Sequence, residues 1–174
     1  GVAVDHDEPG FIMVNSNPLS TEDEIARRIK DCTPSAVIAD SVGLPAVTGA
    51  LSPDRLGVKA IISCPAAEPI AHLAGVTPWE DLLSDDLTEP ETVIAPEDIA
   101  VLQYTGGTTG VLKGCCETNY AFVAKALAQI EYFKPILTER DKDNYMVMMG
   151  LGLSHAFGFV QSIVVNMSLG GAVY

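Results

Sequence analysis

The sequence predicts an α/β fold, a layered sheet with flanking helices assembled from βαβ units. Three observations carry that expectation. Short apolar runs recur at Phe11 to Val14, Ala36 to Ala39, Val58 to Ser63 and Ile99 to Leu102, bounded by polar or turn-forming residues as strands are. Between the first two runs lies an amphipathic helical pattern, and alternation of strand with helix is what a helix-covered sheet requires. The fourth run leads into a stretch rich in glycine and threonine, Gln103 to Lys113, which places a backbone-lined loop at a strand end.

Taken in order, Gly1 to Gly10 carries Asp5, His6, Asp7 and Glu8 and reads as a solvated, frayed terminus, because consecutive side chains splay apart and make no cation site. Phe11 to Val14 is a short strand, and Asn15 to Pro18 a turn. Ser20 to Glu24 opens a helix with acidic residues in its first turn, where the helix dipole favours them. Ile25, Ile29 and the stem of Arg28 share one face of that helix, which stops before Pro34. Ala36 to Ala39 does not alternate, so it is expected to be buried on both faces. Pro45, Gly49 and Pro53 limit any helix between Val42 and Leu56 to about two turns. Val58 to Ser63 is the next parallel strand.

From Cys64 to Pro96 the composition shifts to Pro, Glu, Asp and Thr, an acidic connector with a short helix around Pro78 to Leu83. Asp85, Asp86, Glu89 and Glu91 lack the spacing of a calcium loop and read as a solvated linker. The shifts divide the chain into a βαβ-like part (1–63), the connector (64–96) and a glycine-loop part (97–174). In the last part Thr118 caps a helix from Asn119 to Phe133, with Phe122, Ala126, Ile130 and Phe133 as a core stripe. Pro135 ends that helix, Glu139 to Asp143 form a loop, and Tyr145 to Met149 is a strand. Ala156 to Leu169 reads as a buried helix closed by Gly170 and Gly171.

The 174 residues suit one domain or a piece of a larger one. A formal charge of −13 with only ten lysines and arginines excludes a nucleic-acid binder, since phosphate contacts need clustered cations. The same acidity repels small anions at long range, so any anion site has to be locally basic or built from backbone donors. Cys32, Cys64, Cys115 and Cys116 have no metal-ligand or CxxC spacing and read as reduced, mostly buried residues. No signal peptide opens the chain, and the longest apolar stretch, Ala156 to Val165, is too short to span a bilayer. A soluble, cytoplasmic protein is expected, with peripheral membrane association left open. The missing initiator Met and the apolar end at Ala172-Val173-Tyr174 predict an internal fragment.

The loop from Gln103 to Lys113 is the chemical centre of the chain. Its glycines let successive N–H groups turn toward an anion, its threonines add hydroxyl donors, and Lys113 adds positive charge. Two familiar loops are excluded by spacing. Lys113 lies between Leu112 and Gly114, which breaks the nucleotide P-loop pattern, and Gly106, Gly107 and Gly110 do not fit the dinucleotide fingerprint.

The string YTGGTTGVLKG, Tyr104 to Gly114, closely resembles the phosphate-loop signature of the adenylate-forming superfamily, which holds acyl-CoA synthetases, aryl-CoA ligases, luciferases and peptide-synthetase adenylation domains. NPLSTEDEI, from Asn17, is similar to another family segment, an Asn-Pro-Leu turn before a helix. LGLSHAFGF, Leu151 to Phe159, matches the family at His155, Phe157 and Gly158 and departs at Gly152 and Ser154; Asn119 stands where the family usually has histidine. The resemblance implies part of the large N-terminal domain of an enzyme using ATP, Mg2+ and CoA. By that resemblance Thr105, Gly106, Gly107, Thr108, Thr109, Gly110 and Lys113 bind the ATP phosphates, and Thr105 also stands near Mg2+. Lys113 and His155 would serve catalysis, with His155 near the carboxylate and acyl pocket.

The implied reaction activates a small-molecule carboxylic acid to an acyl-adenylate, releases pyrophosphate, and passes the acyl group to CoA. LQYTGGTTGVLKG is most like the long- and medium-chain fatty acyl-CoA synthetases. Aryl-CoA ligases and other adenylating enzymes are alternatives, as is a noncatalytic nucleotide-binding or interaction module. The family's adenine-binding segment, ribose-gripping aspartate and C-terminal domain have no match here, so the chain alone is expected to be inactive.

Overall fold

The computed structural model describes residues 2–5, 10–52, 55–64, 75–83, 93–106, 112–135, 146–147, 150–169 and 172–173. The main sheet uses strands β1 (Val2–Asp5), β2 (Phe11–Val14), β3 (Ala36–Ala39), β4 (Ala60–Ser63), β5 (Thr77–Pro78), β6 (Ile99–Gly106) and β7 (Leu112–Thr118). Their spatial order is β5-β4-β3-β1-β2-β6-β7. Helices α1 (Glu22–Cys32) and α2 (Leu44–Ala50) follow β2 and β3, and α3 (Asn119–Phe133) follows β7. A last helical run comprises α4 (Ala156–Phe159), a π-helical stretch Val160–Val165 and α5 (Asn166–Ser168). A separate parallel pair joins β8 (Met146–Val147) to β9 (Ala172–Val173). No helix among the described residues is long and apolar enough to cross a membrane.

The first half follows the predicted rhythm, with one insertion. β3, α2 and β4 form a parallel βαβ unit, with Val37 opposite Ile61 and Ile38 opposite Ile62. β2 and β3 flank α1 in sequence yet do not pair. β1 lies between them, antiparallel to both, with Val2 opposite Val14 on one side and Val37 on the other. Residues 2–5 are therefore a paired strand and not a frayed end, while residues 6–9 lie outside the described residues. The strand holds the short apolar stretch Val2-Ala3-Val4, and its backbone groups find partners on both edges, which the acidic residues after it conceal in the sequence.

Helix α1 begins in a reciprocal capping box. Glu24 N–H donates to Thr21 Oγ1 at 3.3 Å, and Thr21 N–H donates to Glu24 Oε2 at 2.9 Å, so two donors that a helix start leaves unpaired are satisfied. The helix ends at Thr33, whose left-handed φ of 41° closes the turn before Pro34. Its buried face is Ile25, Arg28, Ile29 and Cys32. That face packs with Val14, Val37, Leu44, Val47 and Ile61 into a core that reaches Tyr104 on β6. In β3 only Val37 and Ala39 are fully buried, while Ala36 and Ile38 are half-buried, so burial on both faces is incomplete.

The second half departs from expectation after the glycine loop. Leu112 to Thr118 is a strand, paired antiparallel with β6 from Gly106↔Leu112 through Ile99↔Thr118. The glycine loop thus connects two antiparallel partners, β6 and β7. Gly114-Cys115-Cys116-Glu117 shows no apolar alternation, so pairing with β6, and not burial, makes it a strand. Cys115 and Cys116 are exposed on it, against the expectation that the cysteines are mostly buried; Cys32 is buried and Cys64 half-buried. Helix α3 starts at Asn119 with Thr118 Oγ1 accepting from Ala121 N–H at 3.2 Å, as predicted. Of its apolar stripe Ala126 is buried and Phe122, Ile130 and Phe133 half-buried, with Phe122 edge-on to Phe159 at 5.9 Å between centroids. The predicted cap at Gly170 and Gly171 lies outside the described residues, as do residues 84–92 of the connector.

Two outcomes follow from this packing. Thr21→Ala removes one half of the capping box and is expected to lower stability by about 1 kcal/mol, read as a reduced urea midpoint with unchanged slope. Burial pushes the Cys32 thiol above its ordinary pKa. An aromatic disulfide reagent at neutral pH should therefore modify Cys115 and Cys116 rapidly and Cys32 only after unfolding, as mapped by mass spectrometry. Rapid labelling of Cys32 in the folded protein would contradict its placement.

Candidate active site

The site is organised by strand β6, whose side chains alternate between two packed faces. Gln103 and Tyr104 are both buried, and Thr105 is exposed where the strand leaves the core. Tyr104 lies on the face covered by α1. Its hydroxyl donates to Asp31 Oδ2, and the Arg28 guanidinium sits over its ring, 5.4 Å from the centroid. Arg28 also donates from Nη1 to Ser16 Oγ. Burial, followed by the hydrogen bond to Asp31, pushes the Tyr104 phenol well above its usual pKa, so it stays a neutral donor.

The hairpin register fixes what stands at the loop mouth. Thr105 pairs directly with Lys113, and directly opposed side chains project from the same face of an antiparallel pair. The Thr105 hydroxyl reaches the Lys113 carbonyl at 3.5 Å. Both side chains are exposed, and Lys113 makes no salt bridge among the described residues. The next pair inward is Tyr104 with Gly114. A Cβ on Gly114 would lie 2.9 Å from Leu102 Cδ1 and 3.4 Å from Tyr104 Cε1, so the glycine leaves room for Leu102 and Tyr104 to pack across the hairpin. Gly106 ends β6, while Gly107, Thr108, Thr109 and Gly110 lie outside the described residues.

Gln103 faces the other way and anchors the segment that carries His155. Its Nε2 donates to the Ser154 carbonyl at 3.1 Å. Gly158 lets that segment fold tightly onto α4, because a Cβ there would meet the Gly152 carbonyl oxygen at 2.6 Å. His155 is thus not at a strand end but is the N-cap of α4, with Nδ1 accepting from Phe157 N–H at 3.2 Å. That bond requires Nδ1 to be unprotonated and leaves Nε2 for any other partner.

His155, Tyr104, Arg28 and Ser16 line one open cleft of about 940 Å³ outside the carboxyl ends of β2, β3 and β4. Such crevices are where open α/β sheets bind ligands. Thr105 and Lys113 do not line it; they stand at the hairpin mouth, one residue beyond Tyr104. The structure thus pairs Thr105 with Lys113 and ties the His155 segment to the same strand through Gln103. The sequence pattern assigned no site role to Gln103, Arg28 or Asp31. The signals were a glutamine in an apolar strand, an arginine on the apolar face of a helix and an aspartate in that helix's last turn.

Among the described residues no group of three or more His, Cys, Asp or Glu side chains is disposed to hold a metal. Thr105 offers one exposed neutral oxygen. That donor set suits an ion such as Mg2+ carried chiefly by the phosphates of a nucleotide and its own waters.

The chain is similar in sequence and in fold to known proteins. The chain is 29% identical over 187 aligned positions to a long-chain-fatty-acid–CoA ligase of Escherichia coli O157:H7, covering 93% of this chain and 32% of that protein. It is 26% identical over 165 positions to a 4-coumarate–CoA ligase of Oryza sativa subsp. japonica, covering 94% and 28%. A solved structure assigned as a long-chain-fatty-acid CoA ligase of Rhodopseudomonas palustris superposes with a TM-score of 0.72 at 24% identity, over 93% of this chain and 37% of that one. The chain thus spans about a third of the length of the curated relatives it matches. The family described as AMP-binding enzyme matches residues 8–174, and the chain belongs to that family.

Proposed function

We propose that the protein carrying this chain is an acid–thiol ligase that activates a carboxylic acid, preferably a fatty acid, with ATP and transfers it to CoA. The observation that carries this reading is the hairpin mouth, where Thr105 and Lys113 oppose each other at the start of a glycine- and threonine-rich loop. A carboxylate oxygen attacks the α-phosphorus, the bond from that phosphorus to the β-bridging oxygen breaks, and pyrophosphate leaves. A thiolate then attacks the acyl carbon and AMP departs. Both steps bring anions together, so catalysis is chiefly electrostatic stabilisation of charge that builds on the leaving group.

In this reading the loop amides with Thr105, Gly106, Gly107, Thr108, Thr109 and Gly110 hold the β- and γ-phosphates, and Lys113 neutralises the departing pyrophosphate. Bound Mg2+ would neutralise phosphate charge, with the Thr105 hydroxyl as one ligand. His155, held by its cap bond and by the Gln103 anchor, presents Nε2 toward the acid. The fatty-acid preference draws on the form of the loop string and on the E. coli relative's name.

The test is acid-dependent exchange of labelled pyrophosphate into ATP by the full-length protein, with acetate, medium-chain, long-chain and aromatic acids. Exchange is expected with medium- or long-chain acids, and Lys113→Ala should slow it about 100-fold while leaving the unfolding midpoint unchanged. Exchange confined to aromatic acids would overturn the fatty-acid preference. No exchange with any acid, in a folded protein that binds ATP, would overturn the adenylating function and favour a noncatalytic nucleotide-binding module.

A further inference from the structure

We infer that Asp31 and Tyr104 form a positioning pair that aims Thr105 and Lys113 at the hairpin mouth, so that the C-terminal turn of α1 takes part in nucleotide binding. The inference rests on the adenylating function proposed above. Asp31 is the penultimate residue of α1, where the carbonyl end of the helix dipole disfavours a carboxylate and favours cations such as the neighbouring Lys30. A residue that breaks a local rule needs a compensating interaction. The structure supplies one: Asp31 Oδ2 accepts from the Tyr104 hydroxyl, across 73 positions of sequence.

Tyr104 is well placed to pass that restraint on. It directly precedes Thr105, and its ring is fixed on a second side by the Arg28 guanidinium, which is itself tied to Ser16. The third restraint is the glycine opposite, since Gly114 leaves the ring in contact with the facing strand. The backbone at position 104 therefore has little freedom in rotation about the strand axis. Thr105 and its partner Lys113 project from the adjoining position, so any rolling of Tyr104 would swing them off the phosphates. Neither Asp31 nor the Tyr104 hydroxyl touches nucleotide in this account; both act through the strand.

The test is steady-state kinetics of the full-length protein carrying Tyr104→Phe, Asp31→Ala, Asp31→Asn and the Tyr104→Phe/Asp31→Ala double substitution. Tyr104→Phe and Asp31→Ala should each raise KM for ATP about tenfold and leave KM for the acid within twofold, as expected for loss of a hydrogen bond to a charged group. The double variant should be no worse than either single, because both remove the same bond. Asp31→Asn, which keeps an acceptor oxygen, should restore most of the ATP affinity. A general loss of packing would instead raise both KM values together and lower the melting temperature in proportion. The inference is overturned if Tyr104→Phe binds ATP as the unaltered protein does, or if the two single effects add. Lys113→Ala separates the outcomes: if it weakens ATP use while Tyr104→Phe does not, the positioning pair fails and the proposed function stands.

Discussion

The antiparallel register of β6 against β7 is the constraint on which the rest of the site depends. Because Thr105 faces Lys113 and Tyr104 faces Gly114, one residue step separates a buried, doubly held aromatic ring from an exposed hydroxyl and ammonium. A slip of β7 by one residue would turn Lys113 onto the packed face that Tyr104 occupies and take it away from Thr105. Every packing restraint on Tyr104 therefore also protects the register. Gly114 serves the same end, by leaving the facing position open to the ring.

β6 gains this role because both of its faces are covered. Tyr104 meets α1 through Asp31 and Arg28, while Gln103 reaches the Ser154 carbonyl and so holds the turn that leads to His155. One strand links the first helix, the hairpin mouth and the histidine segment, which are otherwise distant in sequence. In a chain of formal charge −13 such a site cannot rely on general attraction of anions. Lys113, which makes no salt bridge among the described residues, and the backbone donors that a glycine-rich sequence offers are a local answer.

Much of this was legible in the sequence because the signals were local. The helix start at Ser20 to Glu24, the helix stop before Pro34, the cap at Thr118 and the bounds of α3 are each set by a few neighbouring residues, and the structure has them where the pattern put them. The glycine loop was visible for the same reason. What was hidden depends on pairing between distant segments. β1 is ordered by two neighbours that the terminus cannot announce, and β7 is made a strand by β6 despite lacking apolar alternation. The exposed cysteines follow from that hairpin, and Tyr104 meets Asp31 only because β6 packs against α1. His155 shows both sides: its motif marked it, but only the fold reveals that its Nδ1 is already engaged as a helix cap.

The central claim is that the hairpin mouth recognises the outer phosphates of a nucleotide. Calorimetric affinities for ATP and for AMP, compared between the full-length protein and its Lys113→Ala variant, test it most directly. The substitution is expected to weaken ATP at least about tenfold, a loss of one charge-assisted contact, and to leave AMP unchanged. Equal weakening of both nucleotides, or of neither, would contradict it.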